Sequence, residues 1–165
     1  MKNSKLNVLI LCGGASPEHR VSLLSAKAVF NNLDKNKYNV KLVVVDFSGR
    51  WFLQTKKFFA TPKNEMDFSK DSLQEVMLAK GEINNSGKII LLNGHSITID
   101  DSRVDLVFPL IHGASGEDGV VQGFLEMLGI PCVGTSVANA AITMDKDFTK
   151  KLLQHAGVLV VDYLT

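Results

Sequence analysis

Short continuous apolar runs alternate along the chain with stretches in which apolar residues recur every three to four positions, and glycine turns mark the changes. Asn7 to Cys12 carries Val-Leu-Ile-Leu between its ends and closes on Gly13-Gly14, the pattern of a strand buried on both faces. Ser16 and Pro17 suit a helix start. From Val21, the residues Leu23, Leu24, Ala26, Val29, Phe30 and Leu33 recur near the helical period until Asn36 to Tyr38 breaks it. Val40 to Phe47 predicts a second strand, completing a strand, turn, helix and strand unit whose crossover is expected to be right-handed.

The middle of the chain predicts antiparallel structure. Ser48-Gly49 between Val45-Asp46-Phe47 and Trp51-Phe52-Leu53 reads as a tight reversal, and Asn93-Gly94 between Lys88–Leu92 and His95–Ile99 is a strong hairpin signal. Asp71 to Lys80 predicts a short helix capped by Asp71 or Ser72. The whole segment from Trp51 to Arg103 is expected to be an antiparallel elaboration on the main sheet.

Val104 to Ile111 returns to a strand pattern, and Val120 to Leu128 to a helical one that stops at Gly129 ahead of Ile130-Pro131-Cys132-Val133. Ser136 to Thr143 suits a helix packed close to a sheet. Asp145 to His155 predicts a charged amphipathic helix ended by Gly157, and Val158 to Leu164 a further strand. That last apolar run predicts a chain that is the front part of a longer protein.

Both strand-to-helix turns are acidic: Gly13-Gly14-Ala15-Ser16-Pro17-Glu18-His19 and His112-Gly113-Ala114-Ser115-Gly116-Glu117-Asp118-Gly119. Open α/β sheets bind ligands at such strand exits. Carboxylates there favour an ammonium ligand over a phosphate anion, and a small zwitterion is the first candidate. A dinucleotide site is disfavoured because the first turn lacks the Gly-x-Gly-x-x-Gly spacing and Glu18 would repel the anion.

Composition narrows the classes further. With 165 residues and 45% hydrophobic content the chain can bury a substantial core. Lys and Arg total 18 against 17 for Asp and Glu with no basic stripe, which argues against nucleic acid as a partner. The Leu6–Cys12 run is too short to span a membrane and no signal-like cleavage site follows it, so a cytoplasmic protein without a membrane partner is expected. Cys12 and Cys132 read as buried free thiols, and His19, His95, His112 and His155 lack metal-ligand spacing, so no protein-only metal site is expected.

The two acidic turns, extended to Leu23 and to Val120-Val121-Gln122-Gly123, together with Ile130-Pro131-Cys132-Val133-Gly134 and Met144-Asp145-Lys146, resemble in order and spacing the N-terminal signatures of the D-alanine–D-alanine ligases. The resemblance covers nearly the whole chain but about half of that family's usual protein. It implies an α/β fold, Rossmann-like (pre-ATP-grasp), with a mostly parallel sheet, helices on both faces and the antiparallel elaboration in the middle. Residues 1–143 would form the substrate-binding domain, and residues 144–165 the beginning of the ATP-grasp central domain.

It also implies ATP-dependent joining of two D-alanines for peptidoglycan synthesis through an acyl phosphate, with ATP and Mg2+ bound mainly by residues beyond Thr165 and a homodimer as the assembly. The chain alone is then expected not to ligate. Its residues do not separate D-alanine from D-lactate as the acceptor, and a non-catalytic amino-acid-binding or dimerisation module is the alternative.

From the residues alone, Glu18 has two roles open to it: favouring the positive end of the helix that follows, or holding an ammonium. The resemblance assigns it to the first substrate's ammonium. It assigns His112 to that substrate's carboxylate, with Glu117 accepting from the other ring nitrogen to fix the tautomer. Val21 and Ser22 are placed in the same subsite, although Val21 equally suits the core. Lys146 corresponds to a lysine that approaches the ATP phosphates. Asp118 suits helix-start duty, and His19 and Arg20 are expected to face water.

Overall fold

The computed structural model describes residues 4–55, 58, 74–82, 85–93 and 96–164. Its elements are β1 (Leu6–Gly13), α1 (His19–Asn32), β2 (Tyr38–Val45), β3 (Trp51–Gln54), β4 (Gln74–Lys80), β5 (Gly87–Asn93), β6 (Ser96–Val104), β7 (Leu106–Pro109), α2 (Val120–Leu128), α3 (Val137–Met144) and α4 (Lys146–His155). The strands form one seven-stranded sheet in the order β6-β5-β4-β3-β2-β1-β7.

The α/β class read from the sequence holds. β1 pairs in parallel with β2 and with β7, and Val107 makes a further parallel bridge to Cys132. The pairings from β2 through β6 are all antiparallel. The parallel strands β2, β1 and β7 are therefore one end of a mixed sheet rather than most of it, and the elaboration supplies four strands, β3 to β6.

The alternation along β1 explains why both faces are covered. Ile10 and Cys12 join Leu42 and Val44 beneath Leu23 and Ala26 of α1, whereas Leu9 and Leu11 join Val43 and Val45 beneath Val121 and Leu125 of α2. Val76, Leu78, Ile89 and Val104 from the antiparallel strands enter the same cluster as α2. β6 and β7 stand at opposite ends of the strand order although only Asp105 separates them in the chain. The sheet therefore rolls until its ends approach, and β1 touches β6. Asp105 holds that corner, accepting from the Asn7 backbone N–H and side-chain amide at 2.8 Å each.

Two expectations fail. Asp71 to Lys80 is not a helix over its described part: Gln74–Lys80 is the strand β4, with Val76 and Leu78 buried and Met77 half exposed between them. Its residues favour helix individually, but backbone partners on both sides, β3 and β5, override that preference. The proposed caps Asp71 and Ser72 lie outside the described residues, as do Gly94 and His95, although β5 and β6 do pair as a hairpin through Asn93 and Ser96. Val158–Leu164 is not a strand; it joins no ladder among the described residues, with Leu159 and Val161 exposed. Among the described residues no helix is long and apolar enough to cross a membrane.

Candidate functional site

Parallel pairing in register, Leu11 against Pro109, brings the carboxyl ends of β1 and β7 out side by side. The first turn leaves β1 through Gly13 (φ 91°) and Gly14 (φ 97°), left-handed conformations that favour glycine. A Cβ on Gly13 would lie 2.2 Å from the Val45 carbonyl oxygen, so the backbone approach is as restrictive as the dihedral. Ser16 then accepts from the Glu18 N–H at 3.1 Å.

Glu18 stands at the N-cap of α1 without capping it. Its carboxylate is exposed and makes no hydrogen bond or ion pair among the described residues. The side chain reaches instead across to the second turn: a Cβ on Gly113 would fall 3.0 Å from Glu18 Oε2 and 2.8 Å from Ser16 Oγ. The two acidic turns therefore meet, and glycine at position 113 is what lets them.

His112 is partly buried at the start of the second turn, with its side chain 30% exposed. Glu117 lies beside it, but the Nδ1 to Oε1 separation of 3.8 Å is an ion-pair distance rather than a hydrogen bond. The firm bond of Glu117 is with the backbone: Oε2 accepts from the Gly113 N–H at 2.9 Å. The hydrogen bond on the imidazole comes from a residue that the sequence reading did not single out, Ser25 of α1, whose Oγ lies 3.1 Å from Nε2. Asp118 has the helix-start role expected of it, accepting from the Ser115 and Val120 N–H groups at 2.8 and 3.1 Å.

Val21 sits on the first turn of α1 and is 49% exposed, at the surface instead of in the core. Ser22 is placed differently from expectation. It is fully buried, its Oγ accepts from the Gly13 N–H at 2.7 Å, and its hydroxyl donates to the Leu110 carbonyl at 2.5 Å. With donor and acceptor both engaged below the surface, Ser22 ties the exits of β1 and β7 together and does not line the opening.

His19 also departs from expectation. The ring is buried, stacks on Phe47 with centroids 4.3 Å apart, and lies 2.7 Å from the Gly14 carbonyl through Nδ1. A carbonyl only accepts, so Nδ1 carries the proton. Arg20 is exposed, as expected.

Lys146 opens α4, exposed and, among the described residues, without a side-chain hydrogen bond or ion pair and without a contact to the two turns. Burial pushes the Cys12 thiol far above its ordinary range, and both cysteines are free. A cavity of about 790 Å³ lies elsewhere, at the amino ends of β1 and β2. Its cations are engaged: Lys41 with Asp100, Arg103 with Asp105, and Lys5 with the Lys35 carbonyl. It is therefore a poorer candidate than the strand exits.

The fold is thus an α/β sheet whose adjacent parallel strands end in two touching glycine turns, with an unpaired carboxylate on one and an oriented imidazole on the other, at the place where open α/β sheets bind their ligands. Residues 7–135 match the family model of the D-ala D-ala ligase N-terminus. The chain belongs to the D-alanine–D-alanine ligase family. It is 38% identical over 163 residues to a D-alanine–D-alanine ligase of Coxiella burnetii, covering 98% of this chain and 42% of that protein. A solved Coxiella burnetii D-alanine–D-alanine ligase superposes with a TM-score of 0.79 at 37% identity, over 96% of this chain and 43% of that one. The VanG D-Ala:D-Ser ligase of Enterococcus faecalis does so with a TM-score of 0.76 at 34% identity, over 95% and 43%. The chain thus spans less than half the length of these relatives.

Proposed function

We propose that the protein containing this chain joins two D-alanines at the expense of ATP, and that the chain supplies the subsite for the first of them. The observation that carries this reading is the approach of the free Glu18 carboxylate to Gly113, beside His112. A zwitterion needs an anion and a cation-capable donor a few ångströms apart, and orientation of the carboxyl group that reacts sets the rate. Glu18 holds the ammonium. His112 faces the carboxylate, Glu117 orients the second turn, and Val21 borders the opening. Ser22 acts from below by fixing the distance between the turns.

In this reading ATP is a substrate. Its γ-phosphoryl group passes to the first carboxylate to give an acyl phosphate and ADP, and the amine of the second D-alanine attacks the acyl carbon and expels phosphate. Residues 1–143 form the substrate domain, and residues 144–165 begin the ATP-grasp domain, where Lys146 approaches the phosphates. A magnesium ion would offset phosphate charge. Among the described residues no group of three or more His, Cys, Asp or Glu could hold a metal ion, and no step is assigned to that ion. We further propose a cytoplasmic homodimer serving peptidoglycan synthesis, in which the 165-residue chain alone does not ligate.

The test is Glu18→Ala in the complete protein, read by phosphate release against D-alanine concentration. Losing the partner of a desolvated ammonium costs about 2 to 5 kcal/mol, so kcat/KM should fall by at least about 25-fold. Unchanged kinetics would remove Glu18 from the site.

A further inference from the structure

The ring of His112 makes one hydrogen bond among the described residues, and Ser25 supplies it. α1 presents Ser22 and Ser25 one turn apart, and both reach the β7 exit: Ser22 bonds the Leu110 carbonyl, and Ser25 bonds His112 two residues on. The first is fully buried and ties backbone to backbone. The second is partly buried, at the level where the two turns meet. Glu117 faces the other ring nitrogen, and its carboxylate cannot swing away freely because Oε2 is held by the Gly113 N–H. Negative potential at Nδ1 favours the proton there and leaves Nε2 as the acceptor of the Ser25 hydroxyl.

We infer that Ser25 is a positioning residue for His112: its hydroxyl bonds Nε2 and fixes the ring rotamer at the mouth of the two turns. A hydroxyl can donate or accept, so the direction of that bond follows the tautomer; Glu117, at 3.8 Å, biases the tautomer toward Nδ1–H by its charge but has no directional bond with which to set the ring. With Nε2 held by Ser25, the donor the ring keeps for a carboxylate is the Nδ1–H, and Ser25 keeps that donor aimed. This assignment of a carboxylate to His112 rests on the reading under Proposed function; the rotamer lock itself does not.

The experiment uses the complete protein labelled with 15N-histidine, in which the His112 ring signals are identified by their loss in His112→Gln. Wild type should show a protonated Nδ1 and an unprotonated Nε2. Ser25→Ala should shift the Nε2 signal as that nitrogen loses its hydrogen bond, while Ser25→Thr, which keeps the hydroxyl, should restore the wild-type pattern. In steady-state assays Ser25→Ala should raise KM for the first D-alanine by about twofold to tenfold, the worth of one hydrogen bond, with kcat within about twofold. An Nε2–H tautomer in wild type, or ring signals indifferent to Ser25→Ala, overturns the inference. Ring signals that respond as expected, with D-alanine KM unmoved by Ser25→Ala and by His112→Gln alike, uphold the rotamer lock and overturn the placement of the substrate carboxylate instead.

Discussion

Replacing Ser22 by alanine isolates the element on which the site geometry depends. Its oxygen accepts from Gly13 N–H at the end of β1 and its proton goes to the Leu110 carbonyl just past β7, in a position with no solvent exposure. Alanine strands both backbone groups. An unsatisfied buried donor costs about 1–3 kcal/mol, and a carbonyl with a second lone pair somewhat less, giving a total loss of about 2–4 kcal/mol. With a urea m value of about 2 kcal/mol per molar, the unfolding midpoint should drop by about 1–2 M at unchanged m. Ser25→Ala is the comparison: its hydroxyl meets a partly buried imidazole and strands no backbone group, so its midpoint should move by less than about 0.5 M, within the net worth of a single hydrogen bond. Because Ser22 spans the two strand exits, Ser22→Ala should also weaken D-alanine binding, although the residue lies below the opening. A Ser22→Ala midpoint shift smaller than that of Ser25→Ala would refute the argument that the buried hydroxyl joins the two turns.

Glycine 13 and glycine 129 separate a crowded left-handed position from an open one. Gly13→Ala adds a methyl 2.2 Å from the Val45 carbonyl oxygen and should cost more than about 3 kcal/mol or prevent folding, whereas Gly129→Ala, with φ 68° and nothing within 4 Å of the new carbon, should cost about 1 kcal/mol in thermal unfolding. Asp46 provides a pH test. Burial alone would raise its carboxyl, but hydrogen bonds from the Ser48 hydroxyl and the Arg50 and Ser48 N–H groups, with the Arg50 guanidinium beside it, hold it below the ordinary carboxylate range. A depressed folded pKa contributes stability above the unfolded value of about 4 and loses it as pH falls through the folded value, so Asp46→Ala should be less stable than wild type at pH 7 and the gap should narrow below about pH 4. Cys12, whose thiol burial keeps protonated, should resist a disulfide reagent until urea unfolds the chain, and labelling at the native rate of an exposed thiol would contradict its placement.

The parts of the fold legible in the sequence are those fixed by local chemistry. The apolar run closed by Gly13-Gly14, the Asn93-Gly94 reversal and the Gly129 stop each carry their geometry in a few adjacent residues, and β1, the β5–β6 pairing and the end of α2 follow them. β4 did not, because Met77 is apolar yet half exposed and masks the period-two burial of Val76 and Leu78. The Val158–Leu164 run marks the limit of the same logic: an apolar pattern records that a segment suits burial, but a strand exists only where a neighbour completes its ladder.

The site divides along the same line, and the division decides which residues a single sequence can assign. Glu18, His112 and Glu117 stand inside glycine turns, so their positions at strand exits follow from their immediate neighbours. Ser25 and His19 lie in ordinary helical sequence. Ser25 earns its place only because β7 returns 87 residues later to set His112 against it, and His19 is buried only because the β2–β3 reversal brings Phe47 over its ring. Pairing across such distances is set by the register of β1 against β7, and no local pattern encodes it.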